Sequence, residues 1–256
     1  ILFDEKLCEQ GRNFSNKLWN ALRLVKGWEV TEGENDDNKV AIEWLESKIN
    51  KTILELHTSY REFRLSEALM TLYNLIWDNF CSWYLELIKP DYQKPIDRYT
   101  YDKTVAIFEQ LLKLLHPVMP FVTEEIWHLL NERTKGESIC VAEYPVAGAV
   151  NENLITQAEL TFEIITNIRE IRAKASKKNT ETVDASYMGD DSVTFNSFNQ
   201  KIIKLARLGN LDKVTEEVSG TKSFISKGYK FFIATGQTAN EGEERERLLK
   251  ELDYTK

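Results

Sequence analysis

The sequence predicts a mainly α protein: an up-and-down helical bundle followed by a small α/β junction domain and a truncated C-terminal helix. Three observations predict it. Four long stretches before residue 146 repeat apolar residues at i, i+3, i+4 and i+7, the period of a helix with one buried face. After Pro145 the pattern changes to a mixture of helical and strand-like segments. No apolar run approaches the ~18 residues that a membrane-spanning helix requires.

The first helix is expected from about Phe3 to Lys26, with Phe3, Leu7, Phe14, Leu18, Ala21, Leu22 and Val25 on its buried face and Gly27 ending it. The stretch from Glu29 to Asp37 carries Glu29, Glu32, Glu34, Asp36 and Asp37 and no base, which reads as a solvated loop. Asp37 or Asn38 is the expected cap of a second helix that buries Ala41, Trp44 or Leu45, Ile49, Ile53, Leu56 and Tyr60. A third helix opens at Ser66 and runs to the break at Pro90, lined by Leu69, Leu72, Tyr73, Ile76, Phe80, Trp83, Tyr84 and Leu87. The aromatic stripe Trp77, Phe80, Trp83 and Tyr84 reads as core. A fourth helix spans about Asp102 to His116, and a short one restarts at Thr123 after Pro117 and Pro120. Long amphipathic helices on short links pack naturally as a bundle.

Beyond Pro145 a helix is expected from about Glu152 to Lys178. Strands follow at Val183–Met188 and Lys213–Val218, with a short helix at Phe198–Leu208 between them. Lys222–Ser226 and Tyr229–Thr235 read as a hairpin around Lys227-Gly228. A last, polar helix starts near Glu241, with only Leu248, Leu249 and Leu252 to pack. The expected domains are therefore 1–148, 149–240 and 241–256.

Of the 256 residues 42% are hydrophobic, six of them Trp, which is enough for a packed core and excludes a disordered chain. A net charge of −8 argues against nucleic-acid binding over the whole surface but leaves room for a local basic face. Cys8, Cys81 and Cys140 are scattered and form no CxxC pair, as expected of reduced thiols in a cytoplasmic protein. The chain opens on Ile1, directly into helical periodicity, and reads as a piece of a longer polypeptide. His57, His116 and His128 make no zinc spacing with Cys140, and no phosphate loop or nucleophile motif is present. No metal, no cofactor and no catalytic residue is therefore expected. Glu124-Glu125 reads as a carboxylate pair favoured at a helix start.

The first helix carries more. Opposite Phe14, at 100° per residue, lie Arg12, Asn16, Trp19 and Arg23, flanked by Asn13, Lys17 and Asn20. Indole can stack an unpaired base, Arg can hold phosphate, and Asn amides can read base edges. Residues 1–28 hold Lys6, Arg12, Lys17, Arg23 and Lys26 against Asp4, Glu5 and Glu9, so this face is locally positive. The alternative is that Trp19 packs on protein and the arginines are merely solvated. A second basic strip, Arg169, Arg172, Lys174, Lys177 and Lys178, ends the helix leaving the bundle, and Lys201, Lys204 and Arg207 repeat the theme.

Gly11-Arg12-Asn13-Phe14-Ser15-Asn16-Lys17-Leu18-Trp19-Asn20-Ala21 resembles the segment that opens the anticodon-binding domain of valyl-tRNA synthetases. Ile76-Trp77-Asp78-Asn79-Phe80-Cys81-Ser82-Trp83-Tyr84-Leu85-Glu86 resembles the third-helix segment of the same family. The stretch Leu115-His116-Pro117-Val118-Met119-Pro120-Phe121-Val122-Thr123-Glu124-Glu125-Ile126-Trp127 resembles one shared by the valyl, isoleucyl and leucyl enzymes. Asn167 to Ala173 looks like the family's linking helix, and the Glu-rich end looks like the start of its coiled-coil arm. Leu24 departs from the pattern, standing where the family presents an aromatic.

The resemblance implies a tRNA-binding part of an enzyme that attaches valine to its tRNA at the expense of ATP. The HIGH and KMSKS signatures of that reaction are absent here, so ATP belongs to a catalytic domain outside this chain. With the resemblance the α1 face reads as the RNA contact, and the candidate RNA-binding residues are Arg12, Asn13, Asn16, Lys17, Trp19, Asn20, Arg23, Arg169 and Arg172. The expected partners are the anticodon stem-loop of valine tRNA and the catalytic domain of the same polypeptide. A cytoplasmic monomer is expected, and no membrane partner. The same domain of an isoleucyl or leucyl enzyme, or a helical module that docks protein through Trp19, are the competing readings.

Overall fold

A computed structural model of the chain describes residues 5–178, 180–189 and 195–236. Phe3 and the whole of the expected helix from Glu241, with Leu248, Leu249 and Leu252, lie outside the described residues, as does the side chain of Leu7. The chain forms two compact units, Ile1–Ile155 and Thr156–Lys256. It is mainly helical with a small α/β part, as the sequence predicts.

The first unit begins with α1, Glu5–Lys26, whose Phe14, Leu18, Ala21, Leu22 and Val25 are all buried. Two short strands follow where loops were expected: β1, Val30–Thr31, pairs in parallel with β2, Ile96–Asp97. Two-residue strands are too short to leave a period in the sequence. The helix α2, Asp36–Arg61, is capped by Asn35, whose side chain accepts from the Asp37 N–H. That corrects the expected cap by two or three residues. Asn38 is instead buried, and its amide donates to the Thr100 hydroxyl at 3.3 Å.

The third helical run, expected as one α-helix, is α3 (Leu65–Asn74), a π-helical stretch over Leu75–Tyr84, and α4 (Leu85–Ile88). The i→i+5 bonding of a π-turn widens the helix. Residues four apart, Ile76, Phe80 and Tyr84, therefore fall on one fully buried line. Trp77 and Trp83 are left half-buried, so only part of the aromatic stripe is core. The Ser82 hydroxyl donates to the Trp77 carbonyl five residues back, at 2.8 Å, following the same wide turn.

The helix α5, Arg98–Leu115, starts four residues earlier than the apolar pattern suggests, because Asp97 caps it by accepting from the Thr100 N–H at 2.8 Å. Pro120 opens α6, Pro120–Leu130, at a first-turn position where its missing N–H costs no bond. A 3₁₀ turn at Ile139–Val141 follows, anchored by buried Ile139.

The helix α7, Glu152–Lys174, starts before the boundary at Thr156 and in the second unit buries Leu160, Ile164 and Ile168. Strand β3, Val183–Met188, leads through a 3₁₀ turn at Asn196–Phe198 to α8, Asn199–Ala206, and then to β4, Leu208–Lys213. The strand expected at Lys213–Val218 thus lies earlier. Arg207 adopts a left-handed conformation (φ 54°) that ends α8 in one residue, and Leu208 and Leu211 are the side chains that bury. The hairpin of β5, Lys222–Ser226, and β6, Tyr229–Ala234, turns at Lys227 and Gly228, both at positive φ as a two-residue hairpin loop requires. The sheet order is β4-β3-β6-β5, with β3 and β4 parallel and the other pairs antiparallel.

A buried polar chain joins the π-stretch to α5. Thr104 donates its hydroxyl proton to the Thr100 carbonyl at 2.7 Å, so it accepts from the Tyr84 hydroxyl, 2.9 Å away. All three residues are fully buried. Burial also holds the Tyr84 phenol in its protonated, donating form well above its ordinary range. Thr104→Val removes the acceptor and leaves that phenol without a partner, at an expected cost of about 1–3 kcal/mol in urea denaturation. In a Tyr84→Phe background the same substitution should cost clearly less; an equal cost in both backgrounds would show that the pair is not coupled.

Candidate functional site

The geometry of α1 follows from its buried line. With Phe14, Leu18 and Val25 inside, the opposite face must point outward. Arg12, Asn13, Asn16, Asn20 and Arg23 are all exposed. Trp19 is 38% exposed, so its indole is partly open to solvent and is not a core side chain. Arg12 lies 3.9 Å from Glu9, with both side chains about two-thirds exposed, an ion pair that water and salt weaken to little. Leu24 is half-buried.

Lys17 differs from its neighbours. It is half-buried, with its ammonium 4.9 Å from the centre of the Trp77 ring and donating to the Ser82 hydroxyl at 3.4 Å. Its charge is directed at the π-stretch. Beside it lies an aromatic ladder: Phe14 stacks on Tyr73 at 5.3 Å, and Tyr73 on Trp77 at 5.4 Å. Tyr73 is exposed and borders the α1 face, although the helical period assigns it to the core. Nothing in the local sequence marks it, because the ladder arises from the packing of α1 against the end of α3 and the π-stretch.

The second basic strip is mostly spoken for. Arg172 is buried, and its guanidinium donates to the carbonyls of Arg207 (3.3 Å), Lys178 (3.2 Å) and Glu181 (2.6 Å). This fork ties the end of α7 to the start of the sheet, so the structure places Arg172 inside the fold and apart from the exposed candidate residues. Arg169 is exposed, and its Nε donates to the Leu205 carbonyl at 3.0 Å. Lys177 pairs with Glu181 at 3.4 Å and Lys174 with Glu170 at 3.9 Å, while Lys201 is buried.

The structure also assembles a group that the sequence spacing hides. Donor atoms of His116, Glu124 and Cys140 all lie within 4.8 Å of one another, the one such group of three among the described residues. His116 closes α5, Glu124 stands on α6 and Cys140 on the 3₁₀ turn. The His116 Nε2 is 3.1 Å from the Cys140 Sγ, and its Nδ1 is 2.7 Å from the Thr123 hydroxyl. Glu124 accepts from the Ser138 hydroxyl at 3.1 Å and from the Ile139 N–H at 3.2 Å. It sits in the fifth position of α6, so its partner is this turn and not a helix start.

Compared with known proteins, residues 43–187 match the family model described as the anticodon-binding domain of tRNA ligase. Over its whole length the chain is 42% identical to a valine–tRNA ligase of Parabacteroides distasonis. Over 99% of its length it is 44% identical to one of Phocaeicola vulgatus and 31% identical to one of Enterococcus faecalis. It spans 29–30% of the length of these relatives.

The burial of Arg172 sets an expectation for stability. Arg172→Gln should lower the stability of the second unit by at least about 1.5–3 kcal/mol, the value of a single charge-assisted hydrogen bond. Amide exchange of β3 and β4 measures this, and exchange as slow as in the parent chain would contradict the clamp.

Proposed function

The chain belongs to the family of anticodon-binding domains of tRNA ligases, in the valyl-tRNA synthetase branch, and on that premise we propose that it grips the anticodon stem-loop of a valine tRNA. The observation that carries this reading is the match of the anticodon-binding model to more than half of the chain. The exposed face of α1 supports its finer form. Trp19 offers a stacking plane, Arg12 and Arg23 hold phosphates, and Asn13, Asn16 and Asn20 meet base edges. Lys17 supports the face from its edge through Trp77, and Arg169 adds a charge outside the bundle. Tyr73 joins the site as a second aromatic. The grip places the acceptor end of the tRNA at the catalytic domain of the parent polypeptide, where ATP-dependent attachment of valine takes place. The chain itself contributes binding, without a cofactor, as a cytoplasmic monomer. Among the described residues no helix is long and apolar enough to cross a membrane.

Binding through several phosphates weakens steeply with salt, whereas docking on an apolar protein surface does not. Filter binding should therefore show salt-dependent retention of valine tRNA and weaker retention of leucine tRNA. Trp19→Ala should weaken binding roughly 5- to 150-fold, the worth of one base stacked on an aromatic. Arg12→Ala should flatten the salt dependence by about one phosphate contact. Leu18→Ala should instead destabilise the fold by about 2–5 kcal/mol. Unchanged tRNA binding by Trp19→Ala, with a loss of melting temperature equal to that of Leu18→Ala, would overturn the α1 face as the site.

A further inference from the structure

We propose that His116, Glu124 and Cys140 form a Zn²⁺ site, with solvent as the fourth ligand. Thr123 donates its hydroxyl proton to the Met119 carbonyl at 2.8 Å, with the Pro120 carbonyl also near at 3.2 Å. That hydroxyl can therefore only accept from His116, so Nδ1 carries the ring proton and Nε2 presents its lone pair. Nε2 is the nitrogen that faces Cys140. A metal-ligating histidine is held in this way, its other nitrogen donating to an outer partner that fixes the ring. Thr123 is fully buried, so the arrangement is built into the α5–α6 corner.

The other two donors are held as firmly. The Ser138 hydroxyl caps the 3₁₀ turn by accepting from the Cys140 N–H at 3.2 Å, and the buried Ile139 side chain anchors it. The Glu124 carboxylate is oriented by Ser138 and by the Ile139 N–H, and its Oε1 is 3.1 Å from the His128 ring. In a tetrahedron with Zn–N of about 2.0 Å and Zn–S of about 2.3 Å, neighbouring donors stand roughly 3.5 Å apart. The closest approach of 3.1 Å and the outer limit of 4.8 Å bracket that edge. Imidazole, thiolate and carboxylate together suit Zn²⁺ and not the all-oxygen cations Mg²⁺ and Ca²⁺. Cys140 is exposed, which leaves a side open for water. On binding, the Cys140 thiol gives its proton to solvent as the Zn–S bond forms, and the ion fastens the 3₁₀ turn to the α5–α6 corner.

The test uses the full chain without a histidine tag, stripped with chelator and titrated with Co²⁺, then Zn²⁺. One equivalent of Co²⁺ should produce a near-ultraviolet thiolate-to-metal charge-transfer band, which Zn²⁺ removes by displacement. Cys140→Ser, the exchange of one exposed atom, and His116→Gln should abolish the band. Cys8→Ser and His57→Gln should keep it. Burial pushes the remaining thiol, Cys81, up to about 12, so it does not compete. Thr123→Val should weaken Zn²⁺ binding about 10- to 100-fold through the outer shell alone. No charge-transfer band, or a band that survives Cys140→Ser, would overturn the site and leave a plain thiol–imidazole hydrogen bond.

Discussion

The arrangement of the bundle depends on one constraint, the burial of a single line of α1. Phe14, Leu18 and Val25 are buried, two of them completely, and the helix turns 100° for each residue. Once that line is inside, the position of every other α1 side chain follows. Arg12, Asn16 and Arg23 have to face water, Trp19 lies partly open, and Lys17 has to fall on the edge that meets Trp77. The same packing stacks Phe14 on Tyr73 and so brings an aromatic from the third helical run to the border of the face. An exposed surface of two aromatics among amides and guanidinium groups is thus a by-product of how the core closes.

Charge by itself is a poor guide to such a surface. Arg12 and Arg172 look alike in sequence, each a cation on an amphipathic helix. The first is exposed beside one weak ion pair, and the second is buried beneath three carbonyls. The difference comes from what the chain does next. The carbonyls of Lys178, Glu181 and Arg207 converge on the end of α7, and the planar guanidinium of Arg172 serves all three. Arg12 instead meets the Glu9 carboxylate one turn earlier on its own helix. An arginine near a helix C-terminus is therefore as much a candidate for finishing the fold as for binding phosphate.

The long helices were legible because their period persists for many turns, and the hairpin because Lys227-Gly228 gives its turn away. The anticodon-binding family was legible in three segments that lie on α1, the π-stretch and the α5–α6 corner. What escaped was set by single contacts. Asp97 starts α5 early with one side-chain bond, and Arg207 ends α8 with one left-handed residue. The π-stretch preserves an apolar pattern that an ordinary helix would also show, so nothing in the sequence separates the two. His116, Glu124 and Cys140 stand eight and sixteen residues apart in the chain, and the turn at Pro117–Pro120 and the 3₁₀ turn at Ile139–Val141 bring them together.

Cross-linking distinguishes whether the solvent face of α1 meets the anticodon loop. A photo-reactive probe attached to Cys in an Asn16→Cys variant, with Cys8 and Cys140 replaced by Ser, sits in the middle of that face. The same probe at Glu43→Cys, exposed on α2, serves as the reference. Irradiated with valine tRNA, the probe at position 16 should attach to anticodon-loop nucleotides, and the probe at position 43 should give little product there. Attachment from position 16 to the acceptor stem alone, or equal attachment to the loop from both positions, would contradict the claim.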